Sequence, residues 1–366
     1  MEQLTIPFLS AFAIALLATP LTILFAFRFG YVDDPARKHP AILHNHPIAR
    51  AGGIPLFLAI TLCLFIFFPM TKPLVGILLA SLLLVVVGLL DDKYDLSPFL
   101  RLGVNIVAAL LVVGSGVGIS YITNPFAQSL AGTTAVLHLD SWRLSFDFFG
   151  SHSILVWSDI FALIWIVWVI NMLNWSAGVD GQMPGIVIIA AFFLALVAWR
   201  FAQEGDAGQL TMARLSMIVA GATAGFLLFN WHPAKIFPGY GATILGLFLA
   251  VLAIFSAGKV ATAILVMGVP TMDAIFTIAR RLMAGKSPFR GDRGHLHHLL
   301  LSLGWGHRRI ALFYYALCVM LGAAALALDS RGKFFAMAIV AIIVGGMILW
   351  LTRFTLLRKL PDPDNG

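Results

Sequence analysis

Carboxylate and amide side chains stand at the ends of two apolar segments in this sequence. Asp91 and Asp92 close the stretch VVVGLLDD, and the stretch NMLNWSAGVDGQ contains Asn171, Asn174 and Asp180. A carboxylate pair at the edge of a membrane is costly unless it binds a cation or a basic group. Asp91 and Asp92 therefore predict a Mg²⁺ or general-base site that faces a phosphate. Solvated acids that end a helix are the alternative interpretation.

The amide pair and the acid that follows it form a second candidate site. Asn171 and Asn174 are three residues apart, so they share one face of a helix. Amides suit the edge of a nucleobase or a sugar. Asp180 lies in an Asp-Gly turn and suits a ribose hydroxyl, a general base or a metal ion. A polar helix exit followed by a glycine turn explains the same residues without a ligand.

A histidine-rich segment follows a basic stretch further along the chain. In GKSPFRGDRGHLHHLL, the histidines His295, His297 and His298 follow Arg290 and Arg293. The basic neighbours favour binding of a diphosphate, because guanidinium groups match phosphate oxygens. Zinc is a second interpretation, although neither cysteine nor an HExxH pattern supports it. A solvated basic loop is the third.

Charged residues in two further segments are also candidates. Asp273 precedes Arg280 by about two helical turns, which places it about 10 Å inside the membrane. A carboxylate at that depth is a functional candidate, and a structural pairing with an arginine is the alternative. Arg37, Lys38 and Arg50 in the first polar loop suit phosphate or anionic lipid headgroups, or else they only mark a cytoplasmic loop.

The composition places these residues in a membrane protein. The chain is 60% hydrophobic and 11% charged, whereas soluble domains contain about 25% charged residues. The apolar residues form blocks of about 20, long enough to cross about 30 Å of hydrocarbon. We predict an all-α polytopic membrane protein with about 11 transmembrane helices in a single domain, 1–366. Cys63 and Cys318 lie inside apolar blocks, so no disulfide is expected.

The distribution of Lys and Arg predicts the orientation in the membrane. The net charge of +7 comes mostly from short loops beside the apolar blocks, which indicates topology and not binding of nucleic acid. Because basic residues favour the cytoplasm, we expect the N-terminus outside and the C-terminus inside. The polar loops then face the cytoplasm; they are 29–50, 91–101, 171–182, 230–241 and 280–309.

One long stretch, 121–153, is expected on the outer side. Its part TTAVLHLDSWRLSFDF alternates apolar and polar residues. Such alternation is typical of half-buried strands. We therefore predict a small β-hairpin near 133–149 that lies on the outer surface.

The motifs, taken in order, resemble those of the polyprenyl-phosphate N-acetylhexosamine-1-phosphate transferase family, glycosyltransferase family 4. The resemblance covers nearly the whole chain and rests on VDxP with RK, RxGGI, GLLDD with LSP, NxxN with a DG turn, NxxPAKIF, PxxD and SPFxxDxxHLHH. The HLHH form is more similar to the branch that uses UDP-N-acetylglucosamine than to the phospho-MurNAc-pentapeptide translocase.

The resemblance implies an activity and a location. The reaction would transfer a sugar 1-phosphate, N-acetylglucosamine 1-phosphate in the first instance, from a UDP-sugar to a membrane polyprenyl phosphate and release UMP. It would be the first membrane step of cell-envelope polysaccharide synthesis, at the cytoplasmic face of a bacterial inner membrane. The implied cofactor is Mg²⁺, with Mn²⁺ as an alternative, and a homodimer is left open.

The resemblance also implies roles for the polar residues, and we expect Asp91, Asp92, Asp180 and His295 to converge on one inward-facing cleft. Asp91 would activate or position the lipid phosphate, with Asp92 and Asp180 as further metal ligands and catalytic acids and His295 as a fourth catalytic residue. The expected substrate-binding residues are Asn171, Asn174, Asn230, Arg50, His297, His298 and Arg293.

Two positions depart from the family pattern. Ala177 replaces the first of two acids after NxxN, and Tyr240 stands where an acid that binds the metal belongs. A neutral phenol is a poor Mg²⁺ ligand. The alternative function is therefore a catalytically impaired member that acts as a binding or regulatory partner. If Tyr240 replaces a metal ligand, we expect its side chain to point into the cleft. The competing interpretation is that a nearby acid, Asp273 by its depth and side, takes over the vacant ligand position. A transporter is a further alternative. It would need polar residues near the membrane midplane, whereas the polar residues here cluster at one face of the membrane.

Overall fold

The computed structural model describes residues 2–35, 46–127, 136–147, 151–255, 259–287 and 294–357. Most of them are helical, as expected for an all-α protein. The helices are α1 (Glu2–Phe29), α2 (Gly53–Phe67), α3 (Lys72–Tyr94), α4 (Pro98–Gly114), α5 (Val156–Trp175), α6 (Gln182–Gln203), α7 (Ala207–Asn230), α8 (Ile244–Phe255), α9 (Lys259–Val266), α10 (Gly268–Met283), α11 (Leu296–Ser302), α12 (His307–Ala327) and α13 (Ser330–Leu357).

Several of these helices are long and apolar enough to cross a membrane. Within the described ranges there are seven of them, α1, α3, α5, α6, α7, α12 and α13, and the bent pair α9–α10 gives an eighth. Three shorter helices, α2, α4 and Tyr240–Phe255, are also apolar. The chain is thus a helical membrane protein, and the number of about 11 spans stays a prediction.

The apolar stretch that contains α9 and α10 is not one straight helix. The chain bends by 83° between α9 and α10. Pro270 lies in the first turn of α10, where its missing N–H costs nothing, whereas inside a continuous helix it would remove a hydrogen bond. The hydrophobic pattern predicts apolarity along this stretch but carries no information on such a bend.

A small three-stranded sheet joins distant parts of the chain at one end of the bundle. Its strands are β1 (Val32–Asp33), β2 (Ile48–Arg50) and β7 (Ile236–Phe237). The central strand β2 pairs antiparallel with β1 and parallel with β7. The sheet therefore fixes Arg50 beside the segment that follows α7.

The predicted single hairpin near 133–149 is wrong in its pairing. The structure has two antiparallel ladders, β3 (Tyr121–Thr123) with β4 (Val136–His138), and β5 (Arg143–Asp147) with β6 (Ser151–Leu155). Residues 128–135 and 148–150 lie outside the described residues. Alternation indicates strands, but it does not select the partner, because register depends on turn geometry and on the buried face.

Close backbone contacts seat the segment after β7 against α3. A Cβ atom on Gly88 would lie 2.3 Å from the Cα of Gly241, and one on Gly53 would lie 2.7 Å from the same atom. Any side chain at these glycines would push the segment away. The contacts therefore place Tyr240 directly beside the end of α3, where Asp91 and Asp92 lie.

Candidate active site

A cavity of about 740 Å³ opens at the end of the bundle that carries the small sheet. Its wall combines the C-terminal end of α3, the start of α4, the turn after α5, the segment after α7 and the start of α11. The cavity brings together the predicted site residues Arg50, Asp91, Asn174, Asp180, His295, His297 and His298. Arg293 lies outside the described residues.

Asp91 and Asp92 are fully buried at the end of α3, and two arginines compensate their charge. Arg50 Nε lies 3.0 Å from Asp92 Oδ1, and Arg101 Nη1 lies 3.5 Å from Asp91 Oδ2. Backbone N–H groups also donate to the pair: Leu96 to Asp91 at 3.0 Å and Tyr240 to Asp92 at 2.9 Å. Buried charges need such partners, so the loops around α3 are held by these two acids.

Arg101 was not among the predicted site residues. It lines the cavity because α4 begins just before it, with Pro98 in the first turn and the Ser97 hydroxyl accepting the N–H of Leu100 at 3.3 Å. This capping arrangement is visible in the sequence SPFLR. It could have indicated that Arg101 lies one turn into a helix that starts next to the acids.

Tyr240 lines the cavity, but its hydroxyl is directed at α4. The hydroxyl lies 2.8 Å from Asn105 Oδ1 and 3.1 Å from the Arg101 carbonyl oxygen. The Arg101 guanidinium lies over the phenol ring, 5.7 Å from its centre. Asn105 in turn donates to Asn171 at 3.3 Å. Asn171, expected to bind substrate, thus lies behind the cavity wall, since its own amide donates to the Val167 carbonyl.

Asp180 lies in a cluster with two histidines. His232 Nδ1 lies 2.7 Å from Asp180 Oδ2, and His307 Nδ1 lies 3.6 Å from Oδ1. Burial raises the pKa of Asp180, but the His307 and His232 imidazoles outweigh burial and hold it below its usual value. Asp180 and Asp91 line the same cavity, and three carboxylates around one ion stay a prediction. Neither histidine was predicted, because 52 and 127 residues separate them from Asp180.

Asn230 was expected to bind substrate, but its side chain binds backbone groups of the protein. It is buried, its Oδ1 accepts the N–H of Gly181 at 3.0 Å, and its Nδ2 donates to the Ile236 carbonyl at 2.8 Å. Both ends of the amide are thus used by backbone groups. Asn230 fastens the turn that carries Asp180 to strand β7, and it does not line the cavity.

Asp273 holds the histidine segment in place. Its Oδ2 lies 3.1 Å from His295 Nδ1, and its Oδ1 accepts the N–H of Leu296 at 2.8 Å. Both oxygens are engaged at the start of α11, which argues against the alternative that Asp273 takes over the ligand position left by Tyr240. The bend before α10 aims this carboxylate at α11.

His297 is the most buried of the three neighbouring histidines, with 1% of its surface exposed. Burial, together with His298 and His295, lowers the pKa of His297 well below its usual value. It is therefore a neutral imidazole at neutral pH. Its ring is nearly parallel to that of His295, at 5.6 Å between centres. Within the described part of the chain, neither ring nitrogen has a hydrogen-bond partner, which suits a group that faces a ligand.

The acid pair suits a magnesium ion whose remaining ligands come from the phosphates of a substrate. Asp92 Oδ2 is buried and accepts no hydrogen bond from the described residues. Mg²⁺ is commonly held by one or two carboxylates together with substrate phosphates. Asp91 and Asp92 could supply that donor set, and Arg50 and Arg101 would then supply positive charge for the phosphates. Tyr240 adds no ligand, because its hydroxyl is directed at Asn105.

Comparison with known proteins agrees with this arrangement. The sequence profile of glycosyl transferase family 4 matches residues 74–257. A probable undecaprenyl-phosphate N-acetylglucosaminyl 1-phosphate transferase of Bacillus subtilis is 26% identical over 94% of this chain and 90% of its own length. A decaprenyl-phosphate N-acetylglucosaminephosphotransferase of Mycolicibacterium smegmatis is 28% identical over 99% and 91%. A phospho-N-acetylmuramoyl-pentapeptide-transferase of Geobacillus thermodenitrificans is 32% identical over 54% and 58%.

The chain belongs to glycosyl transferase family 4. It is therefore a transferase of a membrane-embedded family, and the resemblance drawn from its motifs is confirmed.

Proposed function

We propose that this protein transfers N-acetylglucosamine 1-phosphate from UDP-N-acetylglucosamine to a polyprenyl phosphate in a bacterial inner membrane and releases UMP. The observation that carries the proposal is the cavity itself, where Asp91, Arg50, Arg101 and His295 meet at the ends of apolar helices. A lipid phosphate can enter there from the membrane surface and a nucleotide from the water. The names of the relatives from Bacillus subtilis and Mycolicibacterium smegmatis support the same donor sugar and acceptor lipid.

The geometry suggests how the chain's own residues act. Arg50 and Arg101 bind phosphate oxygens, and their contacts with Asp92 and Asp91 fix both guanidinium groups in position. Asp91 orients the lipid phosphate and accepts its proton if it arrives protonated. One oxygen of that phosphate attacks the sugar-bound phosphorus of the UDP-sugar. The bond from that phosphorus to the bridging oxygen breaks, and UMP leaves.

Charge stabilisation supplies most of the rate in such a transfer, because phosphoryl groups react by positioning and neutralisation. His295 and His297 line the cavity at the start of α11, where they would face the diphosphate of the bound UDP-sugar. Mg²⁺, held by Asp91 and Asp92, would neutralise further negative charge on the phosphates.

The direct test uses purified full-length protein, UDP-N-acetylglucosamine and undecaprenyl phosphate in detergent. We expect release of UMP together with a lipid that carries the sugar through a diphosphate, and we expect both to require Mg²⁺. A second candidate is an impaired member that binds the nucleotide sugar, favoured by Tyr240 at a ligand position. Saturable binding of UDP-N-acetylglucosamine without UMP would support that candidate and refute the transferase.

We further propose that the N-terminus is outside, the C-terminus is inside and the cavity opens to the cytoplasm. The concentration of Lys and Arg in the loops around the cavity supports this orientation. Single cysteines can replace Asp95, 46% exposed at the cavity, and Asp140, 41% exposed near the outer ladders. A membrane-impermeant maleimide applied to intact cells should label position 140 and spare position 95. The reverse pattern would overturn the orientation.

Tyr240→Asp is expected to lower the Mg²⁺ concentration needed for half-maximal transfer, because a third carboxylate beside Asp91 and Asp92 attracts the ion more strongly. It should also destabilise the protein by about 1–3 kcal/mol, since Asn105 and the Arg101 carbonyl lose the hydroxyl. Mg²⁺ titrations of activity and thermal unfolding measure the two effects. Tyr240→Phe, which loses only the hydroxyl, is the control. An equal Mg²⁺ requirement in all three proteins would mean that position 240 does not reach the ion.

Asp273→Asn is expected to reduce transfer by about 10–100-fold, as is typical when the partner that orients a functional imidazole is changed. The asparagine keeps the volume but cannot accept from both His295 and Leu296 with the same strength. The reduction should appear in kcat more than in the unfolding temperature. Asp159→Asn is the matched control, since Asp159 also caps a helix, by accepting the N–H of Leu155 at 3.0 Å, at a distance from the cavity. If Asp273→Asn and Asp159→Asn were equally active, the role of Asp273 would be limited to capping α11.

A further inference from the structure

Three side chains at the cavity present nitrogen and oxygen atoms to a common point. One ligand atom each from Asp180, His232 and His307 lies within 4.8 Å of the other two. The two imidazole rings stack at 4.5 Å between centres and 24° between planes, so both Nδ1 atoms face the carboxylate. The side chains are 11%, 40% and 18% exposed, which leaves the cluster accessible from the cavity.

The hydrogen bonds of His307 leave an electrostatic conflict. Its Nδ1 lies 3.3 Å from the backbone N–H of Asp180 and accepts from it, which requires an unprotonated nitrogen. The same nitrogen lies 3.6 Å from Asp180 Oδ1. A lone pair thus faces a carboxylate oxygen without a hydrogen between them. A proton on Nδ1 would satisfy the carboxylate, but it would leave the backbone N–H without this acceptor. A metal cation bound by the three groups would likewise take this nitrogen from the backbone N–H, but it would offset the charge of the carboxylate and the lone pairs of both imidazoles together.

The backbone that carries these ligands is held firmly. Asn230 binds the N–H of Gly181, next to Asp180, and the Tyr315 hydroxyl donates to the Gly181 carbonyl. Arg308 Nε donates to the His232 carbonyl at 2.9 Å. Partners of this kind, around the ligands, keep a coordination site in shape.

We propose that Asp180, His232 and His307 form a binding site for a transition-metal dication such as Zn²⁺, separate from the Asp91–Asp92 pair. Two imidazoles and one carboxylate are a donor set that zinc accepts in tetrahedral sites with one open position. Imidazole nitrogen suits zinc and its neighbours, whereas Mg²⁺ prefers oxygen throughout. The open position faces the cavity, where water or a phosphate oxygen completes the shell. The site goes beyond the proposed transferase function.

The test measures Zn²⁺ binding to chelator-stripped, full-length protein in detergent, without substrate, by calorimetry and by metal analysis after gel filtration. We expect one Zn²⁺ per chain and an affinity lowered about 100-fold in His232→Ala and in His307→Ala, as expected for loss of one of three ligands. His138→Ala is the control, because His138 also lies beside an acid, 3.4 Å from Asp140, but far from the cavity. Asp92→Asn should bind Zn²⁺ as the parent protein does.

Several results would overturn the site. One is that the protein binds no stoichiometric Zn²⁺, and another is that both histidine variants bind Zn²⁺ with unchanged affinity. A third is that the affinity falls in His297→Ala instead, which would move the metal to the segment at α11. Thermal unfolding of each variant shows that a lost affinity is not a lost fold. UMP release is assayed separately, so a protein that binds Zn²⁺ but lacks transferase activity refutes the proposed function and not the metal site.

Discussion

Arg50→Ala is expected to lower the free energy of unfolding by about 3–5 kcal/mol, the usual cost of leaving a buried charge without its partner. Arg50 lies 3.0 Å from Asp92, which is almost fully buried, and it also reaches Asp91 and Asp95. Arg101 lies 3.5 Å from Asp91, the other acid of the pair, so we expect it to compensate little of the charge on Asp92. The measurement is chemical or thermal unfolding of the purified protein in detergent, followed by tryptophan fluorescence.

Arg50→Lys is the matched variant for this experiment. It keeps the positive charge but loses the planar group that contacts two acids at once. We expect a smaller loss of stability than in Arg50→Ala and a clear loss of transferase activity, because the phosphate contacts need the same planar group. If Arg50→Ala had the same free energy of unfolding as the parent protein, the acid pair would be neutralised by protonation and not by Arg50.

Asp91→Asn is expected to reduce UMP release by about 10²–10⁴-fold, the range typical for removal of a general base or a charged group at the reacting atoms. Asp91 is the member of the acid pair that lines the cavity, and it faces Arg101. Asparagine keeps the shape and the oxygen that accepts from Leu96, so the fold should be retained. Steady-state assays at saturating substrate measure the loss.

Asp159→Asn serves as the control here too, since it removes a carboxylate from the end of another helix. Unchanged stability with lost activity in Asp91→Asn, together with full activity in Asp159→Asn, would place the chemistry at the cavity. Activity of Asp91→Asn within threefold of the parent would exclude Asp91 from the reaction. The acid next to it, Asp92, would then be the residue to test.

Some features could be predicted from the sequence because they depend on local pattern. Long apolar blocks predicted a helical membrane protein, and the described helices coincide with those blocks because a helix satisfies its own backbone in lipid. The motifs around Asp91 and His295 predicted the family, since they are contiguous and their order is fixed by the chain. The cavity contains most of the candidate residues for the same reason: each motif ends at the same side of the bundle.

Other features were decided by the tertiary structure. The hydrophobic pattern could not show the 83° bend before α10, and so it could not show that Asp273 would point at His295. The pairing of the outer strands escaped prediction because alternation does not specify a partner. Asn230 was expected at the substrate, yet backbone groups occupy both ends of its amide.

The sequence by itself determined the membrane class, the family and the set of polar residues at the ends of the spans. Only the tertiary structure decided how those residues are grouped. It grouped Asp180 with His232 and His307, and it turned the hydroxyl of Tyr240 toward Asn105. The physical reason is that these contacts link residues far apart in the chain. Their partners are chosen by how the helices pack, which no local pattern encodes.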